Sequence, residues 1–171
     1  MPYDSLTPPA PSAQIKDGRP QIDFDWYLPF GLTAISNKIA RSASRIYLRR
    51  FGVGINEWRL LSNLRVLSGA TAHMLCHHSG LDKAAVSRSL RLLEDAGMVE
   101  TCKDGGDARG RSLRLTEKGD ELHDRLIAVA LEREARLLTG FSDQERALLL
   151  SFIARLHANV PLLQGEDGGE D

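Results

Sequence analysis

The sequence predicts a mainly α fold with one small β-hairpin wing, and three observations along residues 82–119 carry that reading. An amphipathic run, DKAAVSRSLRLLEDAG, opens on a capping aspartate and repeats its apolar residues at helical steps. Two short β-like runs, residues 99–103 and 111–115, flank the turn-rich loop DGGDARG. Leu115-Thr116-Glu117-Lys118-Gly119 then restarts a helix from a capping threonine. With a tight turn at Ser79-Gly80-Leu81 ahead of them, these elements take the layout of a winged helix-turn-helix.

The other elements follow in order. Residues 1–22 hold five of the seven prolines and too little apolar surface to fold alone, so they read as a flexible arm. A helical period covers residues 25–51, with Leu28, Leu32, Ile35, Ile39, Ala43 and Ile46 on one stripe, Pro29 in the first turns, and Gly52 and Gly54 as its stop. Asn56 is the expected cap of a second helix that buries Leu60, Leu61, Leu64 and Leu67 before Ser68-Gly69. Thr71 caps a short third helix, Asp82 the fourth, and Thr116 a long fifth reaching residue 138. Ser142-Asp143-Gln144-Glu145 is a capping box opening a sixth helix with Leu148, Leu149, Phe152, Ile153 and Leu156 along it. The tail, 163–171, is acidic and reads as disordered.

The expected organisation is thus one domain over residues 23–162, with the winged unit at about 56–116 and dimerisation helices at about 25–51 and 116–160. Three long amphipathic helices have no sheet large enough to cover them. A two-fold pairing with a second copy would bury their stripes and set two copies of the 82–97 helix about one DNA turn apart, matching a palindromic site.

The net charge of −1 hides a strong asymmetry. Residues 38–65 carry seven basic side chains against the single acid Glu57, whereas the last eight residues carry four acids and no base. A nucleic-acid partner is therefore compatible with the composition, because phosphate binding depends on local charge. No continuous apolar run reaches the roughly 20 residues of a membrane span, and no basic-then-apolar leader opens the chain. Two cysteines suit a reducing compartment, so the expected location is the cytoplasm.

On the 82–97 helix, Val86, Leu90 and Leu93 share a face with Ala85 beside them, and should lock the helix to the domain. The opposite face carries Lys83, Ala84, Ser87, Arg88 and Arg91. Short residues mixed with cations suit groove entry: alanine touches a thymine methyl, serine donates or accepts, and arginine grips guanine through two hydrogen bonds. An ordinary solvated basic face is the competing reading of the same pattern. In the hairpin loop, Arg109 suits a narrow minor groove, and Asp107 suits holding an arginine by a carboxylate pair.

The helix, the Gly97-Met98-Val99 exit, the Asp107-Ala108-Arg109 turn and the Leu-Thr-x-x-Gly restart together resemble the MarR family of bacterial transcriptional regulators, over residues 24–160. The resemblance implies a homodimer that binds duplex DNA, represses genes and is released by a small molecule. It matches Ser87, Arg88, Arg109 and Arg111 to DNA contacts; Ala108 departs from the basic residue or glycine usual there. It places Asn56, Trp58 and Ser62 where small aromatic acids bind relatives. Arg41 and Arg45, four apart on the first helix, would supply a guanidinium for the carboxylate beside the indole of Trp58. No cofactor is implied.

Two alternatives of the same fold stay open. His73, Cys76 and His77 at i, i+3 and i+4 have a spacing able to present metal ligands, and Cys76 with Cys102 would make a thiol switch. A winged-helix protein-interaction module is a third. The chain has no G-x-x-x-x-G-K, dinucleotide glycine fingerprint, G-x-S-x-G or H-E-x-x-H, and GGDARG leads into a strand rather than a phosphate-holding helix, so it does not read as an enzyme.

Overall fold

A computed structural model describes residues 12–102 and 111–164. The expected Asp107 and Arg109 sites and most of the acidic tail lie outside the described residues. The chain divides into two compact units, Met1–Leu126 and Ile127–Asp171.

In the first unit, β1 (Ala13–Lys16) and β2 (Arg19–Ile22) pair antiparallel, with Ala13 opposite Ile22 and Lys16 opposite Arg19. This corrects the expectation of an arm without structure of its own. The reason is local: Asp17 and Gly18 take φ of 53° and 72°, the left-handed pair that a two-residue hairpin turn needs and that Asp-Gly supplies readily. Every residue of both strands is exposed.

Helix α1 (Leu28–Phe51) starts three residues later than the periodicity suggests, with Pro29 in its first turn and Gly52 left-handed at its end. Only Ala43 and Tyr47 of α1 are buried, while Leu28, Leu32, Ile35 and Ile39 stay exposed. Helix α2 (Ile55–Val66) is capped by Gly54 rather than Asn56. The side chain that closes this end is Glu57, whose Oε2 accepts from the Gly54 N–H at 2.8 Å. This carboxylate at the third position satisfies the N–H of the cap residue itself, whereas a capping side chain accepts from an N–H two or three residues further on.

Helices α3 (Ala72–Ser79) and α4 (Lys83–Asp95) are joined through Gly80, left-handed at φ 65°. Thr71 and Asp82 cap them, the Asp82 carboxylate accepting from Ala85 N at 2.6 Å. Strands β3 (Val99–Cys102) and β4 (Ser112–Leu115) pair antiparallel, and Ala70 adds a bridge to Leu113 on the free edge of β4. Leu60, Leu61 and Leu64 of α2 meet Leu75 of α3, Val86 and Leu93 of α4, and the inward residues Val99 and Leu113 of the hairpin in one core. Each fully buried leucine stabilises by roughly 2 kcal/mol.

Helix α5 (Glu117–Leu137) crosses the boundary between the units. Its part in the first unit, Glu117 to Leu126, buries Gly119, Leu122, His123 and Leu126. In the second unit, α6 (Asp143–Asn159) begins at the expected capping box: Ser142 accepts from Glu145 N, and Glu145 Oε2 accepts from Ser142 N at 2.7 Å. A 3₁₀ turn (Val160–Gln164) follows. Leu148, Leu149, Phe152, Ile153 and Leu156 are all exposed.

Among the described residues, the 21 residues Asp143–Leu163 are long and apolar enough to cross a membrane by length and composition alone. The expectation that no segment approaches a span is corrected to that extent. Asp143, Glu145, Arg146 and Arg155 interrupt the run, which is why the sequence shows no continuous apolar stretch there.

Candidate nucleic-acid interface

Helix α4 is built to show one face and lose the other. Ala85, Val86, Ser89, Leu90 and Leu93 are buried, whereas Lys83, Ala84, Ser87, Arg88 and Arg91 are exposed. The inward face also holds a polar residue that the sequence reading missed. Ser89, 3% exposed, donates its hydroxyl to Glu57 Oε1. Glu57 therefore closes the start of α2 with one carboxylate oxygen and grips the middle of α4 with the other. The signal was present in the sequence as a residue three after Val86 and one before Leu90, on the apolar stripe.

The far end of α4 is held by the start of α5. Lys118 Nζ donates to the Ala96 carbonyl at 2.8 Å, and the Thr116 hydroxyl donates to the Gly97 carbonyl at 2.8 Å. The Thr116 backbone N–H reaches the Met98 carbonyl at 3.1 Å. A lysine at a helix C-terminus also offsets the negative end of the helix dipole. Helix α4 has no basic residue of its own in its last turn, so α5 supplies that charge.

A groove of about 670 Å³ opens between α3, α4 and β4. Four of the expected contact residues, Lys83, Ser87, Arg91 and Arg111, line it together with His73 and Cys76. Ala84 and Arg88 stand exposed on α4 outside that lining. Arg91 lies 3.9 Å from Asp95, an exposed pair worth little. Arg111 is bound from within the unit, its Nη2 donating to Thr101 Oγ1 at 2.9 Å.

The second expected site is only partly brought together. Trp58 stacks on His123 with ring centroids 5.4 Å apart and meets Tyr47 at 6.0 Å. Ser62, one turn along from Trp58, has a buried hydroxyl with no hydrogen-bond partner among the described residues. Asn56 is half-buried in the first turn of α2, and Arg41 and Arg45 remain exposed on α1. His123 was missed, because its role depends on α5 folding back on α2 and no local pattern announces that. Arg65 reinforces the same contact, pairing with Asp120 and lying 3.7 Å from Asp124. Among the described residues no group of three metal-ligating side chains is arranged to hold an ion, and Cys76 and Cys102 are both free thiols.

Comparison with solved structures decides the family. A MarR/EmrR family transcriptional regulator from Acinetobacter sp. ADP1 superposes with a TM-score of 0.78 at 33% identity, covering 82% of this chain and 99% of that one. The chain belongs to the MarR family. A MarR family model matches residues 51–110, from the end of α1 through α4 and β3. A MarR-family regulator from Silicibacter pomeroyi shares the fold at TM-score 0.71 and 24% identity, covering 81% of this chain and 92% of that one. So does MepR of S. aureus, solved as a MepR–DNA complex, at TM-score 0.69 and 20% identity over 78% of this chain and 97% of that one. MarR-family proteins are transcriptional regulators and not enzymes. The mainly helical architecture with its two-stranded hairpin is the winged-helix fold of that family.

Proposed function

We propose that this MarR-family chain is a homodimeric regulator that binds palindromic duplex DNA, represses transcription and is released by a small aromatic carboxylate. The observation that carries the DNA reading is the division of α4. Its inner face buries Leu90 and Leu93 and is held by Glu57, while Lys83, Ala84, Ser87, Arg88 and Arg91 are exposed on the other side. A rigidly mounted helix with short and cationic outer residues suits the major groove. The crystallised DNA complex of MepR, a protein of the same fold, supports this reading. In this account Asp107 and Arg109 serve the minor groove, with Arg111 close by in sequence.

Exposed apolar side chains support the dimer. Leu28, Leu32, Ile35 and Ile39 on α1 and Leu148, Phe152 and Ile153 on α6 are solvent-facing in the single chain. A second copy packed on these helices removes them from water, and the same packing accounts for the apolar character of Asp143–Leu163 in a cytoplasmic protein. Domain limits of 23–162, with the winged unit at 56–116, follow from this reading.

For the effector, Trp58 offers an aromatic wall and Ser62 a buried hydroxyl one turn away, with Asn56, Arg41 and Arg45 as the surrounding polar residues. Binding there favours a dimer whose two α4 helices no longer match adjacent grooves, a shift of populations rather than a new fold.

The test is a fluorescence-anisotropy titration of labelled duplex from upstream of the chain's own gene, at several salt concentrations and with a panel of aromatic carboxylates. Affinity that falls steeply with salt and is abolished by one compound is the expected result. Binding at low salt that no compound reverses removes the effector, and absence of binding at low salt removes the DNA role.

A further inference from the structure

Arg111 matches a DNA contact by its place in the family, yet the structure ties it to the protein. The hairpin register sets Thr101 opposite Leu113, with Val99 and Leu113 both buried. Arg111, the residue just before β4, reaches the Thr101 side of the hairpin while its side chain stays 76% exposed. The opposite face carries Glu100 and Arg114, paired across the strands at 2.7 Å. On the Thr101 side, Arg111 Nη2 donates to Thr101 Oγ1 at 2.9 Å, and the Thr101 hydroxyl donates to Glu94 Oε1 at 3.2 Å. Glu94 Oε1 also lies 3.8 Å from Arg111 Nη2. Glu94 is in the last turn of α4, so three side chains link the end of that helix to β3 and to the residue that leads into β4.

We propose that Thr101 and Glu94 are positioning residues for DNA reading, holding Arg111 as a strut between the hairpin and α4 so that it orients the hairpin instead of contacting a phosphate. The inference rests on the DNA reading above and assigns a different task to one of its residues. The hydroxyl is the centre of the arrangement, because it accepts from the guanidinium and donates to the carboxylate at once. A valine at 101 keeps the β-branched shape that suits a strand and removes both bonds. A free, phosphate-seeking arginine would gain nothing from such a partner.

The experiment measures binding of the full chain to labelled upstream duplex between 50 and 200 mM salt, about the range over which phosphate contacts are counted. Thr101→Val and Arg111→Gln are each expected to weaken binding about three- to fivefold, as the loss of one exposed charged link allows. Both should keep the parent's slope of log affinity against log salt. The double variant should be no weaker than Arg111→Gln alone, and Thr101→Ser should bind like the parent. If Thr101→Val fails to fold, Glu94→Gln gives the same two readouts. A slope reduced by about 0.9 in Arg111→Gln, with Thr101→Val binding like the parent, overturns the strut and makes Arg111 a phosphate contact. A parent that binds no duplex overturns the DNA reading itself, and the strut falls with it.

Discussion

Gly119 and Met98 approach so closely that a Cβ on Gly119 would lie 2.1 Å from the Met98 carbonyl oxygen. The first turn of α5 thus rests directly on the backbone at the start of β3, just beyond the end of α4. No flexible side chain stands between them to give way. Exchanging glycine for alanine in a helix ordinarily gains up to about 1 kcal/mol. Here Gly119→Ala should instead destabilise by about 2 kcal/mol, through forced separation of two packed backbones. Urea unfolding checks the sign, and an alanine variant as stable as the parent would refute the close contact.

Glu57 and Ser89 should show strong coupling. Glu57→Ala leaves the buried Ser89 hydroxyl without its acceptor, which costs roughly 1–3 kcal/mol. Ser89→Ala added to that background should recover the part of the loss due to the orphaned hydroxyl, while the part due to the freed Gly54 N–H stays. A double-mutant cycle by urea denaturation measures this, and additive effects would mean that the bond contributes nothing.

Much of this was legible beforehand, for a physical reason. Thr71, Asp82, Thr116 and Ser142 act within three residues of their own helix starts, and such local chemistry is written in order along the chain. The outward cations of α4 followed from its period in the same way. What escaped depends on distant partners: Ser89 needs Glu57, 32 residues away, and His123 needs Trp58. The hairpin at 13–22 is a different case. Its Asp17-Gly18 turn is local chemistry too, but five prolines among the first 22 residues give the segment the composition of an unpaired arm.

The two proposed DNA-reading arginines should differ in kind. Arg88→Ala is expected to cost about 1–3 kcal/mol on the preferred duplex and to relax base choice at one position. Arg109→Ala should weaken all duplexes alike. Competition binding against single-base variants of the site separates the two, and parent-like affinity in both variants would refute the proposed docking.

Ser62→Ala should exchange function for stability. The Ser62 hydroxyl is buried and has no partner among the described residues, so removing it should stabilise by about 0.5–1 kcal/mol, helped by the higher helix propensity of alanine. Release of DNA by the active aromatic carboxylate should weaken in the same variant. A destabilised protein with an unchanged ligand response would show that the hydroxyl has a structural partner.

Acid should weaken the start of α6. Hydrogen bonds from the Ser142 backbone N–H and then its hydroxyl hold the Glu145 carboxyl below its ordinary range. A depressed carboxyl contributes stability above its unfolded value, near 4.3 as a rough guide, and loses it as pH falls through the folded value. Ser142→Ala should therefore lower the melting temperature at neutral pH, and its difference from the parent should narrow in acid, where the hydroxyl keeps only its cap on the Glu145 N–H. A constant difference across that range would assign the effect to the hydroxyl cap alone.

The way α4 is mounted has a consequence for how such a protein changes over time. Asp82 secures its beginning, Glu57 its middle, and Lys118 with Thr116 the turn beyond its end. The outward residues Ala84, Ser87 and Arg88 belong to none of these fastenings. In the proposed docking, the residues that read the target are thus ones that carry no weight in the building. New preferences can arise there by single substitutions while the frame stays intact, and a designer wishing to redirect the protein has the same freedom.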